Sequence, residues 1–282
     1  MKPHIDLHMH STASDGTDTP AGLLERVKAA GLRVFALTDH DAVDGVRELA
    51  GNIPEGITFI PGIEFSCRMA SGKCHILGYG CDMDHPSFAD ALDRGAALRR
   101  AKLETRIAFM KERGIHIPEA ELDALRQMPS AGKPHLGNLM VKYGCARTRD
   151  EAITGTLNLC RTGPSRIEAE AAVKAILAVG GVPVWAHPLG GTGEPRVGRP
   201  QFEAMLTELL AYSLRGLECW YSEYPAESCR KLAQVAAEHG LLISGGSDYH
   251  GTNKAVDLGT LNADGEEVRA EQLTLLDEPL GG

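Results

Sequence analysis

This 282-residue chain lacks cysteines in any pairing pattern. The seven cysteines, at 67, 74, 81, 145, 160, 219 and 229, form an odd set with no CxxC pair. That excludes a disulfide framework or thiolate zinc site and leaves them as reduced, mostly buried small hydrophobes. Long apolar runs are also missing. No stretch approaches the roughly 18 residues of a membrane-spanning helix, and Met1-Lys2-Pro3-His4-Ile5-Asp6 lacks an apolar signal core. The expected address is therefore cytoplasmic, with no membrane partner. Positive charge is short as well: 29 Lys and Arg against 38 Asp and Glu leave a net charge of -9. This balance disfavours a protein that grips duplex nucleic acid mainly by counterion release, though it leaves room for a local basic patch. Aromatics make up only 5%, and each reads as a core residue before a base-stacking one. Otherwise 43% hydrophobic and 24% charged residues describe an ordinary folded chain. Its length suits one large domain or a domain with an insertion.

What is present is a repeating order of short β-rich runs and longer helical runs, the pattern of parallel βα units. Seven strands are predicted at His4–Leu7, Val34–Thr38, Thr58–Ile63, His75–Tyr79, Val182–Ala186, Gly216–Trp220 and Leu241–Ser244. Helices are predicted at Pro20–Ala30, Val43–Ala50, Ser165–Val179, Gln201–Tyr212 and Ala226–His239. From about Pro86 to Asn158 the rhythm breaks into helices alone, including a long one from Asp90 to Arg113, which reads as an inserted subdomain. That helix carries Arg94, Arg99, Arg100, Lys102, Arg106, Lys111 and Arg113 against only Glu104 and Glu112 from Arg94 onward. It is either a solvated face or an anion-guiding face over a site. The acidic tail after Asn262 is expected to be loosely held.

Chemistry concentrates at the strand ends. The first strand runs into His8-Met9-His10, followed by Asp15-Gly16; in extended backbone, residues i and i+2 share a side, so both imidazoles can converge on one ion. The second strand ends in Thr38-Asp39-His40-Asp41, the third in Glu64, and the fourth run contains His75. Ala186-His187-Pro188 follows the fifth, and Ser247-Asp248-Tyr249-His250 follows the last. Any one of these taken alone is an ordinary loop. Six of seven strand ends carrying His, Asp or Glu point to a metal site, because the strand-end loops of a βα barrel meet on one face. Nitrogen and oxygen donors without thiolate suit manganese, iron or zinc, and the number of ligands implies more than one ion.

His8-Met9-His10-Ser11 with Asp15-Gly16, Thr38-Asp39-His40, Gly62-Ile63-Glu64, His75 and Gly246-Ser247-Asp248-Tyr249-His250 resemble the motif set of the polymerase and histidinol phosphatase (PHP) superfamily. The chain is most similar to the stand-alone bacterial members related to 3′,5′-nucleoside bisphosphate phosphatases, and Lys133-Pro134-His135-Leu136 resembles an element of that group. The resemblance implies an α/β fold, a distorted seven-stranded TIM-like (β/α)7 barrel. The barrel would span residues 1–85 and 159–282, with the helical subdomain at 86–158. It implies two to three divalent ions, manganese first, with zinc, iron or magnesium as alternatives. His8, His10, Glu64 and Asp248 would hold one ion; Glu64 would bridge to a second held by His75 and His135; Asp15, His40 and His250 would hold the third.

The expected reaction is phosphate-ester hydrolysis, in which paired ions clamp phosphate oxygens. Glu64 is the bridging carboxylate, Asp39 is expected to orient an imidazole, and His187 to contact phosphate or protonate the leaving alkoxide. Lys133, Arg161 and Arg199, with His187, are the candidate substrate-binding groups. With the resemblance they favour a 3′,5′-bisphosphonucleotide losing its 3′-phosphate. A 5′-to-3′ exonuclease on short RNA or DNA and a histidinol-phosphate phosphatase are the alternatives within the fold. A non-catalytic metal-binding domain and an amidohydrolase are the alternatives outside that chemistry; the latter usually adds a bridging lysine, and no lysine ends a strand suitably here.

Overall fold

The computed structural model describes residues 4–128, 131–163 and 166–280. Strand β1 (Ile5–Asp6) is followed by α1 (Pro20–Ala29), β2 (Val34–Leu37), α2 (Asp44–Leu49) and β3 (Thr58–Met69), and β1, β2 and β3 pair in parallel. Thr19 caps α1 by accepting from the Gly22 amide, with Pro20 in the first turn where its missing N–H costs nothing.

Strand β4 (Gly72–Tyr79) departs from the all-parallel expectation. It turns back on β3 through Ala70 and Ser71 and runs antiparallel to it, from Gly62 opposite Tyr79 to Met69 opposite Gly72. Its other edge pairs antiparallel with β6 (Val182–Trp185). The periodicity of a short apolar run encodes burial but not direction, so this reversal is invisible to it. The Glu208 carboxylate fixes the turn, accepting from the Ala70 and Ser71 amides at 2.9 Å each.

After the helices α3 (Pro86–Glu112), α4 (Glu119–Gln127), α5 (Lys133–Lys142) and α6 (Arg149–Gly155), an eighth, two-residue strand, β5 (Ile167–Glu168), pairs with the far end of β3. Ser165, where the predicted third helix starts, lies outside the described residues; the helix there, α7, covers Ala169–Ala178. Then α8 (Arg199–Ala211), β7 (Gly216–Tyr221), α9 (Ala226–Glu238) and β8 (Leu242–Gly246) complete the chain of strands. Strands β6, β7 and β8 are parallel, and the order β1-β2-β3-β4-β6-β7-β8 curls into a nearly closed seven-strand barrel. Closure comes from the Leu7 amide donating to the Gly245 carbonyl at 3.1 Å and a parallel bridge between Met9 and Tyr249. Gly246 permits this approach, since a Cβ there would sit 2.3 Å from the His8 Cβ.

The main core fills the barrel and its helical coat. A second apolar cluster, including Leu103, Ile107, Met110, Leu122, Leu136 and Met140, packs the helices α3 to α6 against one another. Helix α3 serves both, burying Phe88 in the first and Leu103 in the second. The tail is not loose: Val268, Leu273, Leu275 and Leu280 are buried, and Thr274 accepts from the Ile243 amide of β8. Charge at its surface masked an apolar side spaced by short helical turns. No helix among the described residues is long and apolar enough to cross a membrane.

Candidate metal centre

The loops that follow β1, β2, β6 and β8, and the strands β3 and β4 themselves, deliver their polar residues to one place on the barrel rim. His8, His10, Glu64 and Asp248 are all buried there. The Nε2 atoms of His8 and His10 are 3.2 Å apart, and each lies 3.2–3.4 Å from Glu64 Oε2 and Asp248 Oδ1. Those separations match the edges of a tetrahedron, about 3.3 Å for metal bonds of 2.0–2.1 Å. Two imidazole nitrogens facing each other have no reason to do so unless a shared cation, or a single proton, lies between them.

Two further groups adjoin it. His40, Glu64 and His75 form one, with His40 Nδ1 at 3.0 Å from Glu64 Oε2 and His75 Nδ1 at 2.9 Å from Glu64 Oε1. His10, Asp15, His40 and His250 form the other, with His250 Nε2 at 3.2 Å from Asp15 Oδ1. Asp15 Oδ1, His40 Nδ1, Glu64 Oε2 and His75 Nε2 are buried without a hydrogen-bond partner. A buried polar atom left unpaired is costly, and four from the residues of these two groups fit divalent ions that would take their lone pairs.

The electrostatics agree. Burial alone would depress the His8 imidazole, yet Glu218, Glu64 and Asp248 outweigh it and hold it well above its usual range. Burial would likewise raise Glu64 and Asp15, but surrounding histidines, His40 and His75 for the first, His250 and His40 for the second, hold both well below the carboxylate range. The centre is thus a concentration of negative charge that draws protons onto imidazoles and would accept metal cations in their place. His75 differs: burial, with Arg166 beside it, pulls it down to about 4, so its ring is neutral and ready to ligate at neutral pH.

Behind the ligands stand residues that hold them. Glu218 Oε1 accepts from His8 Nδ1 at 2.8 Å, which fixes the ring proton on Nδ1 and turns Nε2 to the centre. Its other oxygen accepts the His187 amide at 2.7 Å. Asp6 holds the β1 and β8 ends together by accepting from the His8, Ser247 and Gly259 amides. The Lys254 ammonium donates to Asp248 Oδ2 at 2.8 Å and to the Tyr221 hydroxyl at 2.9 Å. The sequence reading missed all three, although a lone Glu within the apolar run Gly216–Tyr221 is itself a signal. Asp39 is expected to orient an imidazole; its carboxylate instead accepts from the Ser11 amide and the Ser11 and Ser14 hydroxyls at 2.6–2.7 Å, and reaches His10 only through Ser14. Asp41, His187 and Asp248, three of the four non-glycine residues with positive φ among those described, flank the centre, where such strain collects.

The remaining expected residues divide. His187 lies beside the centre, with Nε2 at 3.1 Å from Glu64 and Nδ1 at 3.4 Å from Glu194. A cavity of about 490 Å³ opens over Asp15, His40, Glu64, His75, His187 and Asp248. His135 belongs to none of the three ligand groups: its Nδ1 accepts from the Gly132 amide at 3.2 Å, and His40 takes the place expected for it beside Glu64 and His75. Lys133 lines an adjoining cavity. Arg161 and Arg199 are exposed and line neither cavity, and Arg199 is committed to Glu203 at 2.8 Å, one turn along α8.

The PHP domain family matches residues 6–112. Over 88% of its length the chain is 29% identical to a 3′,5′-nucleoside bisphosphate phosphatase of Chromobacterium violaceum, covering 87% of that protein. It is equally 29% identical to the 5′-3′ exoribonuclease Rnm of Salmonella typhimurium, over 90% of this chain and 87% of that one. A solved Chromobacterium violaceum structure described as an amidohydrolase superposes with a TM-score of 0.79 at 28% identity, covering 91% and 90% of the two chains. A Bifidobacterium adolescentis protein classed with the metal-dependent phosphoesterases gives 0.76 at 28% identity over 94% of each. The chain thus carries a PHP-domain match over residues 6–112, is similar along most of its length to a bisphosphate phosphatase, an exoribonuclease and a metal-dependent phosphoesterase, and gathers a ligand cluster at the barrel rim.

Proposed function

We propose that the chain removes the 3′-phosphate of 3′,5′-bisphosphonucleotides, giving a nucleoside 5′-monophosphate and phosphate. The observation that carries the hydrolytic reading is Glu64, whose two oxygens serve adjacent ligand groups while one of them lacks any hydrogen-bond partner. Similarity to the bisphosphate phosphatase supports the substrate. Divalent ions held by His8, His10, Glu64 and Asp248, and by the two adjoining groups, would draw charge from the phosphoryl oxygens and activate water.

The chain's own residues do the rest. Glu218 keeps His8 in one tautomer, and Asp39 stiffens the Ser11–Ser14 loop that carries His10 and Asp15. In this reading His187, at the cavity wall beside Glu64 and with Glu194 at its other nitrogen, protonates the departing ribose oxygen. His187→Asn is expected to lower turnover at saturating substrate by about 10²-fold; unchanged turnover removes His187 from the chemistry.

The test is phosphate release from 3′-phosphoadenosine 5′-phosphate with manganese added and then chelated, with the nucleotide product identified. Metal-dependent formation of AMP supports the reading; turnover of oligonucleotides alone replaces it. That second reading, a 5′-to-3′ exonuclease on short RNA or DNA, draws support from the Salmonella typhimurium relative, which matches as well over as much of the chain.

A further inference from the structure

The inserted helices meet the barrel rim at two places. One is a second cavity, of about 310 Å³, that shares Asp15, His40 and His75 with the metal centre. Its far wall is cationic, with Arg99, Lys102 and Arg106 from α3, Lys133 from α5 and Arg166 just before β5. This chamber suits the anionic substrate of the reading above and is part of that site. The other place is a single side chain, Arg149, in the first turn of α6.

Arg149 commits both terminal nitrogens of its guanidinium to one residue of the rim. Nη1 donates to the Asn253 side-chain oxygen and Nη2 to the Asn253 carbonyl at 2.6 Å. Asn253 passes the contact on, since its Nδ2 donates to the Asp15 carbonyl at 2.8 Å. The two ends of one amide are thus divided, its oxygen serving the helices and its nitrogen the loop that carries Asp15. Little slack surrounds this relay. Gly251, at φ +65°, lies so close to Thr17 that a Cβ would overlap the Thr17 hydroxyl, and the Thr252 amide donates to that hydroxyl at 2.9 Å. A helix of the insertion, the loop after β1 and the loop after β8 are therefore pinned together.

Two ligands of one group hang from this point. Asp15 lies in the first loop, and His250 stands three residues before Asn253 in the other. His250 donates from Nδ1 to the Asp248 carbonyl at 2.8 Å, which leaves Nε2 facing Asp15 Oδ1 at 3.2 Å. The group of His8, His10, Glu64 and Asp248 is instead braced from the barrel, by Glu218 and by Lys254, whose ammonium also holds the Tyr221 hydroxyl.

We infer that Arg149 is a positioning residue: acting through Asn253, it holds Asp15 and His250 at the separation at which they take one divalent ion. Occupancy of that position then depends on the inserted helices, while the positions at Glu64 do not. The inference rests on the metal-dependent reading of the centre and gives the helices a part in it.

Manganese is titrated by calorimetry into the metal-stripped wild type, Arg149→Met, Arg149→Lys and Asn253→Ala, with elemental analysis of the loaded proteins. The wild type is expected to take up three ions, one for each ligand group. In Arg149→Met and Asn253→Ala one ion is expected to bind about 10- to 100-fold more weakly and the other two as before. Arg149→Lys, which keeps the charge but not the fork of donors, is expected to recover part of the loss. The double variant is expected to lose no more than either single one, because both break the same relay. Circular dichroism identifies a variant that has failed to fold, and the variant at the other residue then decides. Unchanged binding of every ion overturns the inference, as does an equal loss at all three positions or a wild type that holds only two.

Arg149 also lines the main cavity, so kinetics on 3′-phosphoadenosine 5′-phosphate separate positioning from substrate contact. Turnover of the variants is expected to fall at limiting manganese and to return at saturating manganese, with KM for the nucleotide within about twofold of wild type. A raised KM in fully loaded variants makes Arg149 a substrate contact and overturns the inference. The titration uses no substrate, so a failure to hydrolyse the bisphosphate sinks the proposed function alone.

Discussion

The metal centre and the cationic chamber lie wall to wall and treat charge in opposite ways. In the centre, Glu64 and Asp248 face imidazoles at 2.9–3.5 Å, and Glu218 and Lys254 hold the outer edges of His8 and Asp248. What is unsatisfied there is a set of lone pairs, the complement of a cation. In the chamber, Lys102 and Arg106 face other cations, and what is unsatisfied is an N–H donor, the complement of an anion. Left unpaired, the first calls for a cation and the second for an anion. The helices α3 and α5 supply the positive wall and the barrel supplies the negative one.

Removing the most shared charge of the centre is the strongest way to break this contrast. Glu64→Gln leaves His40, His75, His8 and His10 without their common carboxylate. Turnover is expected to fall on the order of 10³-fold, with bound metal reduced, measured by steady-state kinetics and elemental analysis. Glu218→Gln acts one layer out: the His8 ring keeps a hydrogen-bond partner but loses its carboxylate. A drop of about 10- to 100-fold in metal affinity is expected by competition with a chelator, and an unchanged affinity reduces Glu218 to a packing role.

The chamber responds with the opposite sign. Lys102 titrates at about 7 in the fold and near 10.4 in the unfolded chain. Below about pH 7 both states are protonated and the repulsion counts in full; between 7 and 10 only the unfolded chain holds the proton, and stability rises with pH. Lys102→Met is therefore expected to raise the Tm of the ligand-free protein by about 2–3 °C at pH 6, with the gain fading by pH 10, as calorimetric scans would show. A loss at pH 6 would mean that the chamber's charge is compensated after all. The smallest effect is expected at Arg199, exposed and paired along its own helix, where Arg199→Ala changes kcat/KM less than twofold and stability by no more than about 0.5 kcal/mol.

Much of the centre is legible in the sequence, because a barrel converts the ends of successive strands into one pocket and His8, His10, Glu64, His75 and Asp248 each stand in or beside such runs. Residues that act through others are harder to read. Glu218 lies mid-strand, and Lys254 is six residues past Asp248, in a loop with no pattern to mark it. The chamber is harder still: Arg99, Lys102 and Arg106 are visible as a basic face of one helix, but its burial depends on α5 and Arg166 folding over it. His135 was drawn toward the centre by its motif, while the cap of α5 turns its Nδ1 to the Gly132 amide. Strand direction at β4 is likewise a tertiary property.

That reversed strand has a consequence for how the protein comes together. With β4 turned back through two residues, Glu64 and His75 are 11 residues apart and meet inside one hairpin, a structure that forms in about 1–10 µs by local search. His8 and Glu218 are 210 residues apart and meet only when the ends of the barrel join, a closure costing roughly 2–3 kcal/mol more in chain entropy. The pocket is thus built from a local seed outward. The hairpin that carries Glu64 and His75 is therefore the piece that a nascent chain is expected to assemble first.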